Sequence, residues 1–505
     1  MMRIPSSYLV QFQEPEGYLD FARFGPPSHA VVEESTRLLE RSMRAGSSTV
    51  DGLMREEVRA KAAVARLCGV GAAHVVLSPN TSTGLFQVAL ALEGEVLVSP
   101  AEFPANTYPW ARARGAEVQW LPASPVTPAS VRAALTPATT ALSVSAVDFR
   151  TGYRADLAAL REVVGDRLLI VDGIQGFGVV DEPWSVADVL VVGGQKWLRA
   201  GWSTGFMVLS DRALDRLTPV LSGWTGAEDA GLFNNTLHPL AAGAAAWSIT
   251  NLSPITAGAL ATALELAELA TIPQLNKRIV QQSNNLAEVI ERAGGHIVSE
   301  RPQSSGILAF TMGDKPTTLV GEALVREGIT ATIRPEHIRL SPHASTSPEA
   351  AARLTAALSA LRASARTQIV VPRRVAEPAA PAATNPAATN PAPVEAAAVE
   401  AAAASPAPAE AAARHVNSDA GSPKPPVETF PSDVDTLQRI LIERAVSSVG
   451  IPVELMKKSH KSQVVQMLDD AGLFLIRDSV DHLAGVLGVT RYTIYNYLKE
   501  HRKPE

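Results

Sequence analysis

The stretch LLIVDGIQGFGVVDEPWSVADVLVVGGQKWLRAGWSTGFMVLS, Leu168 to Ser210, decides the architecture. It holds three short apolar runs: LLIVD (Leu168 to Asp172), VLVVG (Val189 to Gly193) and GFMVL (Gly205 to Leu209). Each has strand length and strand composition. Upstream, HVVLS (His74 to Ser78), EVLVS (Glu95 to Ser99) and ALSVSAV (Ala141 to Val147) read the same way, with longer helical patterns between them. Strands alternating with helices predict an α/β fold with a mostly parallel central sheet. Such sheets bind ligands at the carboxyl ends of their strands.

Two residues in the opening stretch stand at strand ends with unusual chemistry. Asp172 closes four apolar residues, where an uncompensated charge is costly, so a cationic partner is expected. Lys196 follows a second strand and the pair Gly193-Gly194, whose lack of side chains leaves room for something bulky beside the amine. A buried lysine is the usual Schiff-base former. An Asp that keeps a pyridine nitrogen protonated, paired with such a lysine, meets the needs of pyridoxal 5'-phosphate (PLP). Taken alone, the two residues also fit a structural salt bridge.

The stretch resembles the class V aminotransferase family of fold-type I PLP enzymes, which includes cysteine desulfurases, selenocysteine lyases, isopenicillin N epimerases and, more distantly, kynureninases. The resemblance covers most of residues 15 to 365 and rests on Asp172-Gly-Ile-Gln175, Gly194-Gln195-Lys196-Trp197 and Gly205-Phe206. It implies that Asp172 pairs the pyridine nitrogen, Gln175 contacts the ring hydroxyl and Lys196 carries the cofactor, with Gln195 beside it. In LSPNTSTGLFQVALAL (Leu77 to Leu92), Thr81, Ser82 and Thr83 lie between a strand and a helix, where hydroxyls and N–H groups make an anion site. Alone that turn also reads as an ordinary N-cap; the resemblance makes it the phosphate site. Phe103 is implied as the aromatic that stacks on the ring, and Arg339, in IRLSPH, as the grip on a substrate α-carboxylate, with Arg334 a rival.

Departures from the family pattern are Gln195 where many members have His, and Phe149 in DFRTG where many have Asn. No cysteine matches the desulfurase nucleophile, since Cys68 sits far upstream, so desulfuration through a persulfide is disfavoured. Transamination is the favoured reaction; C–S lysis, epimerisation and kynureninase-like cleavage stay open.

At 505 residues the chain exceeds a single core, and the composition divides it. Residues 1–370 form the expected PLP domain, with a large subdomain over about 26–250 and a smaller α+β subdomain over about 260–370 that includes the N-terminal segment. An Ala/Pro-rich stretch at 376–428 loses nearly all aliphatic and aromatic residues, which predicts a disordered linker. Residues 431–503 read as a small all-α helix-turn-helix domain. Asp478 or Ser479 starts one helix, Gly488 supplies the turn, and Thr490 caps a second helix that presents Arg491, Tyr492 and Asn496 outward for DNA. This segment resembles the C-terminal part of YheO-like regulators, which suggests the rival reading of a PLP- or amine-sensing transcriptional regulator.

The formal net charge of -6 makes any DNA contact a local matter, and acidic and basic residues balance within the C-terminal segment. One cysteine, no signal-peptide pattern and no long apolar run predict a cytoplasmic protein without a membrane span. No metal is expected, because the ten histidines lack ligand spacing. The resemblance implies a homodimer acting on an amino-acid-like substrate.

Overall fold

The computed structural model describes residues 4–44, 46, 48–368, 434–475 and 479–501. The linker expected at 376–428 and the cap residue Asp478 lie outside the described residues. Seven strands build the large sheet: β1 (Val75–Leu77), β2 (Gly94–Val98), β3 (Ala116–Trp120), β4 (Thr139–Ser145), β5 (Leu168–Asp172), β6 (Val189–Gly193) and β7 (Gly205–Leu209). Their order is β1-β7-β6-β5-β4-β2-β3, and only β7 runs against its neighbours. Strands β5, β6 and β7 are buried at every position, which is why they read as unbroken apolar runs. The sequence reading passed over β3. Its AEVQW alternates polar and apolar residues and ends exposed, as befits a strand at the sheet edge.

Both faces of the sheet carry apolar clusters. Helix Thr49–Cys68 packs with Pro254–Ala270 on one side, through residues such as Ala60, Val64 and Leu260. Helix Thr81–Ala91 covers the other through Leu85 and Val88. A second sheet, with order β10-β11-β9-β8, joins β8 (His296–Ile297), β9 (Leu308–Thr311), β10 (Thr332–Ile333) and β11 (Ile338–Leu340) in antiparallel fashion. Its core against helices Ile272–Arg292, Thr317–Arg326 and Glu349–Gln368 is Phe310, Leu324, Ile338 and Leu354.

The N-terminal segment ties the two sheets together. Tyr18 bridges Thr330 and Asp20 bridges Ser341 in parallel pairing, and the Gly25 N–H donates to the Gln195 carbonyl at 2.9 Å. A Cβ on Gly25 would stand 1.9 Å from the Lys196 carbonyl oxygen, so only glycine lets the segment cross there. Three residues beyond Lys196, Arg199 adopts φ 60° and buries its guanidinium against this segment. It pairs with Glu14 at 2.6 Å, donates to the Pro26 carbonyl at 2.5 Å and lies 3.8 Å from the Phe12 ring centroid.

The C-terminal helices Val434–Val449, Lys458–Asp470, Ser479–Leu487 and Arg491–His501 enclose a core of their own, including Ile442, Val464, Leu468, Leu483 and Ile494. Gly488, at φ 61°, makes the turn between the last two helices. Ala484 is the small buried residue on the first of them.

The Glu14–Arg199 pair sets a stability prediction. Removing one partner of a buried ion pair strands the other charge, so Glu14→Ala should cost about 3 kcal/mol in urea unfolding. The double change Glu14→Met with Arg199→Met should cost clearly less, because neither charge is then left behind.

Candidate active site

Strands β5 and β6 end side by side and deliver Asp172 and the Lys196 turn to one cavity of about 280 Å³. Its wall includes Thr81, Phe103, Phe149 and Arg339. A larger groove of about 780 Å³ opens at the opposite, amino-terminal edge of the sheet, beside Glu93, Thr139 and Arg216. It holds none of the chemistry-bearing residues singled out in the sequence.

Asp172 is 2% exposed, and its Oδ1 accepts the Ile174 N–H at 3.0 Å. Burial pushes the carboxyl up to about 6, against the Ile174 N–H and the charge of Lys196. Lys196 moves the other way. Burial brings its amine down to about 8, helped by Arg339 and opposed by Asp172 and Asp20. The cation expected beside Asp172 is therefore felt but not touched: among the described residues Asp172 makes no ion pair. The lysine Nζ instead lies 5.4 Å from the centroid of the Phe103 ring.

The phosphate end is built by a helix start. Asn80, which the sequence reading missed, caps helix Thr81–Ala91 by accepting the Thr83 N–H at 2.9 Å and the Thr83 hydroxyl at 3.2 Å. Thr83 was expected to hold the cofactor. Its hydroxyl is spent on the cap, and the residues that line the cavity are Asn80, Thr81 and Ser82. The Thr81 Oγ1 is buried without a hydrogen-bond partner. A Cβ on Gly193 would approach the Gln195 Oε1 to 2.7 Å and the Thr81 Oγ1 to 3.0 Å, so the glycine keeps this corner open.

An orphaned hydroxyl at a helix N-terminus, a buried carboxylate with no cationic contact, an aromatic face and an amine of lowered basicity share one cavity. They fit PLP. Thr81, Ser82 and Gln195 would hold the phosphate, Asp172 the ring nitrogen, Phe103 the ring face and Lys196 the aldehyde carbon. Gln175 is more constrained than expected: its Nε2 donates to the Ala22 carbonyl at 3.0 Å and its Oε1 accepts the Trp197 indole N–H at 2.8 Å. One N–H of its amide is left for a ring oxygen.

Arg339 is 2% exposed on β11, and much of its fork is engaged within the protein. It donates to the Phe149 carbonyl at 2.6 Å, to Asp20 at 3.1 Å and to Thr332 at 2.9 Å, while its Nε stays without a partner. Asp20, absent from the sequence reading, is thus the residue that sets this arginine. Phe149 stands edge-on to Phe103 at 5.1 Å, so the departure from the family asparagine closes the cavity with a second ring. Arg334 is buried behind it, 5.0 Å from the Phe149 centroid.

In the C-terminal helices, Thr490 caps Arg491–His501 by accepting the Thr493 N–H at 3.3 Å. Tyr492 and Tyr495 are exposed on that helix, as is Asn496, and Ile494 faces the core. Arg491 is held by Asp481 at 2.9 Å, an exposed pair that costs little to release.

The raised carboxyl of Asp172 predicts a pH dependence of the cofactor-free protein. Its folded value, about 6, exceeds the ordinary 3.8, so this stability contribution is full below pH 3.8 and is lost as pH rises through 6. The loss is on the order of 3 kcal/mol. Glu102, buried on the Ser145 N–H and hydroxyl and pushed up to about 7, acts in the same direction. Urea unfolding of wild type and Asp172→Asn between pH 4 and 8 should show the variant losing less stability across that window, and equal slopes would refute the assignment.

The family pattern described as Aminotransferase class-V matches residues 26–364, and one described as HTH domain matches 437–499. A kynureninase from Deinococcus radiodurans is 31% identical over 216 residues, 40% of this chain and 52% of that protein. An isopenicillin N epimerase from Streptomyces clavuligerus is 31% identical over 196 residues, 35% of this chain and 49% of that one. The chain spans about half the length of these curated relatives. Among solved structures, an apo cysteine desulfurase from Thermococcus onnurineus NA1 has a TM-score of 0.63 at 17% identity, covering 73% of this chain and 99% of that one. The cystine C-S lyase C-DES, in complex with cysteine persulfide, gives 0.62 at 20%, covering 68% and 97%. At such identities these structures share the fold. The class V match takes in both sheets together with Asp172 and Lys196, and on that ground the chain belongs to the aminotransferase class V family of PLP-dependent proteins and carries an HTH domain after it.

Proposed function

We propose that the chain is a PLP-dependent enzyme acting on the amino group or Cα of an amino acid, with transamination as its reaction. The observation that carries this reading is the placement of Asp172 and Lys196 on one cavity without contact, the buried carboxyl lacking the cation that would keep it ionised and the amine brought toward the neutral form that attacks a carbonyl carbon. When bound, PLP withdraws electrons from the substrate Cα. Every other role falls to the chain. Asp172 holds a proton on the ring nitrogen, and Phe103 fixes the ring plane. Arg339 orients the α-carboxylate with the donors Asp20 leaves it. Lys196, with its amine brought down to about 8, takes and returns the Cα proton. Desulfuration stays disfavoured. The single cysteine, Cys68, is buried in helix Thr49–Cys68, and burial pushes its thiol up to about 12.

The protein acts as a homodimer in this reading. Exposed apolar side chains crowd the segment after β7, among them Trp224, Phe233 and Leu237, and suit a second copy. A second reading, a PLP- or amine-sensing regulator, is favoured by one observation: the exposed face of helix Arg491–His501 presents Arg491, Tyr492 and Asn496 beyond the Thr490 cap, as a groove-reading helix does. The PLP domain and the DNA-contacting helix would then act on one equilibrium.

Purified wild type should show a visible cofactor band that Lys196→Ala lacks, and one of a panel of L- and D-amino acids should release keto acid. Lys196→Ala should lower that rate by about 10²- to 10⁴-fold. A band without turnover would favour the sensor; no band with added PLP would overturn the cofactor site. In DNA retention assays, Asn496→Ala should weaken specific binding about tenfold or more, the cost of one lost base contact. Equal retention of wild type and variant on every sequence tested would remove the helix from recognition.

A further inference from the structure

The cavity contains a second arginine that the sequence reading did not single out. Arg23 lines the same wall as Lys196 and Arg339, but it stands exposed at the mouth whereas Arg339 is buried at the floor. Its backbone is fixed: the Arg23 N–H donates to the Asp20 carbonyl at 3.0 Å, and Ala22 before it accepts from Gln175. Phe24 after it stacks on Trp202, another residue of the wall, at 5.6 Å between centroids. The side chain itself makes no hydrogen bond or ion pair among the described residues. Its charge is nonetheless felt at both Asp20 and Arg339.

The two arginines differ in compensation as well as depth. The charge of Arg339 is already met by Asp20 at 3.1 Å, both side chains being 2% exposed. No carboxylate among the described residues meets Arg23. An α-carboxylate bound at the floor turns a substrate side chain toward the mouth, where that uncompensated guanidinium waits on a pinned stretch of backbone. We infer that Arg23 binds a distal carboxylate of the substrate, so that the enzyme acts on an acidic amino acid rather than an apolar or aromatic one. This rests on the proposed amino-acid chemistry and names its substrate class. A guanidinium suits the task through its planar fork of donors, and the modest cavity, about 280 Å³ before the cofactor takes its share, suits a short dicarboxylate.

Glutarate and valerate have equal length and differ in one carboxylate, and neither has an amine that could react. Calorimetric titration of PLP-loaded protein at constant ionic strength should give glutarate about tenfold tighter binding than valerate, the worth of one charge-assisted contact. Arg23→Gln should bring that ratio to about one, leave valerate binding unchanged and keep the visible cofactor band; Arg339→Ala should weaken both acids. If wild type holds the cofactor but does not prefer glutarate, the acidic-substrate assignment falls and the proposed enzyme stands. The assignment falls likewise if the preference survives Arg23→Gln, or if that change weakens valerate equally, which would make Arg23 an α-carboxylate residue. If wild type fails to hold PLP at all, both readings fall together.

Discussion

The rest of the structure depends on the cost of keeping Asp172 and Lys196 out of water without letting them touch. A buried carboxylate and a buried amine ordinarily relieve that cost by pairing. Here the sheet fixes their backbones on adjacent strand ends, and the carboxylate is left with one N–H, that of Ile174. Both groups answer by moving toward neutrality. A protonated heteroaromatic nitrogen is the missing partner for one of them and an electrophilic carbon for the other, so the unpaired arrangement is a property of the site rather than a defect of packing.

Much of this was legible in the sequence because strands covered on both faces leave an unmistakable trace. LLIVD, VLVVG and GFMVL are apolar throughout since both faces are covered, and the polar residue that ends such a run stands out. Strand β3 left no such trace: an edge strand alternates, and AEVQW looks like any amphipathic fragment. The two-residue strands β8 and β10 are too short to carry a pattern at all.

At the site, residues that face one another across local sequence were found, and those that act over distance were missed. Lys196 and Gln195 follow a strand directly. Asp20 reaches Arg339 from 319 positions away, and no local spacing announces that contact. Asn80 lay beside the expected Thr83 and took the capping role because its side-chain oxygen reaches two donors of the first turn at once. The sequence also offers no sign of which arginine is already compensated. That distinction, which separates Arg339 from Arg23, belongs to the folded chain.

The bridging of Tyr18 to Thr330 and of Asp20 to Ser341 bears on how such a chain is made. The segment around Asp20 leaves the ribosome long before its partners do, since β11 and the residue after it must be synthesised before Asp20 can be enclosed. Until then the Gly25 crossing over Lys196 is held only by its contacts with residues 195–202, and Arg339 does not yet exist. Contacts of such long sequence separation slow folding, because loop closure is required before they stabilise anything. The wall that Asp20 and Arg339 give the cavity is therefore completed late in synthesis, only after Ser341 has emerged.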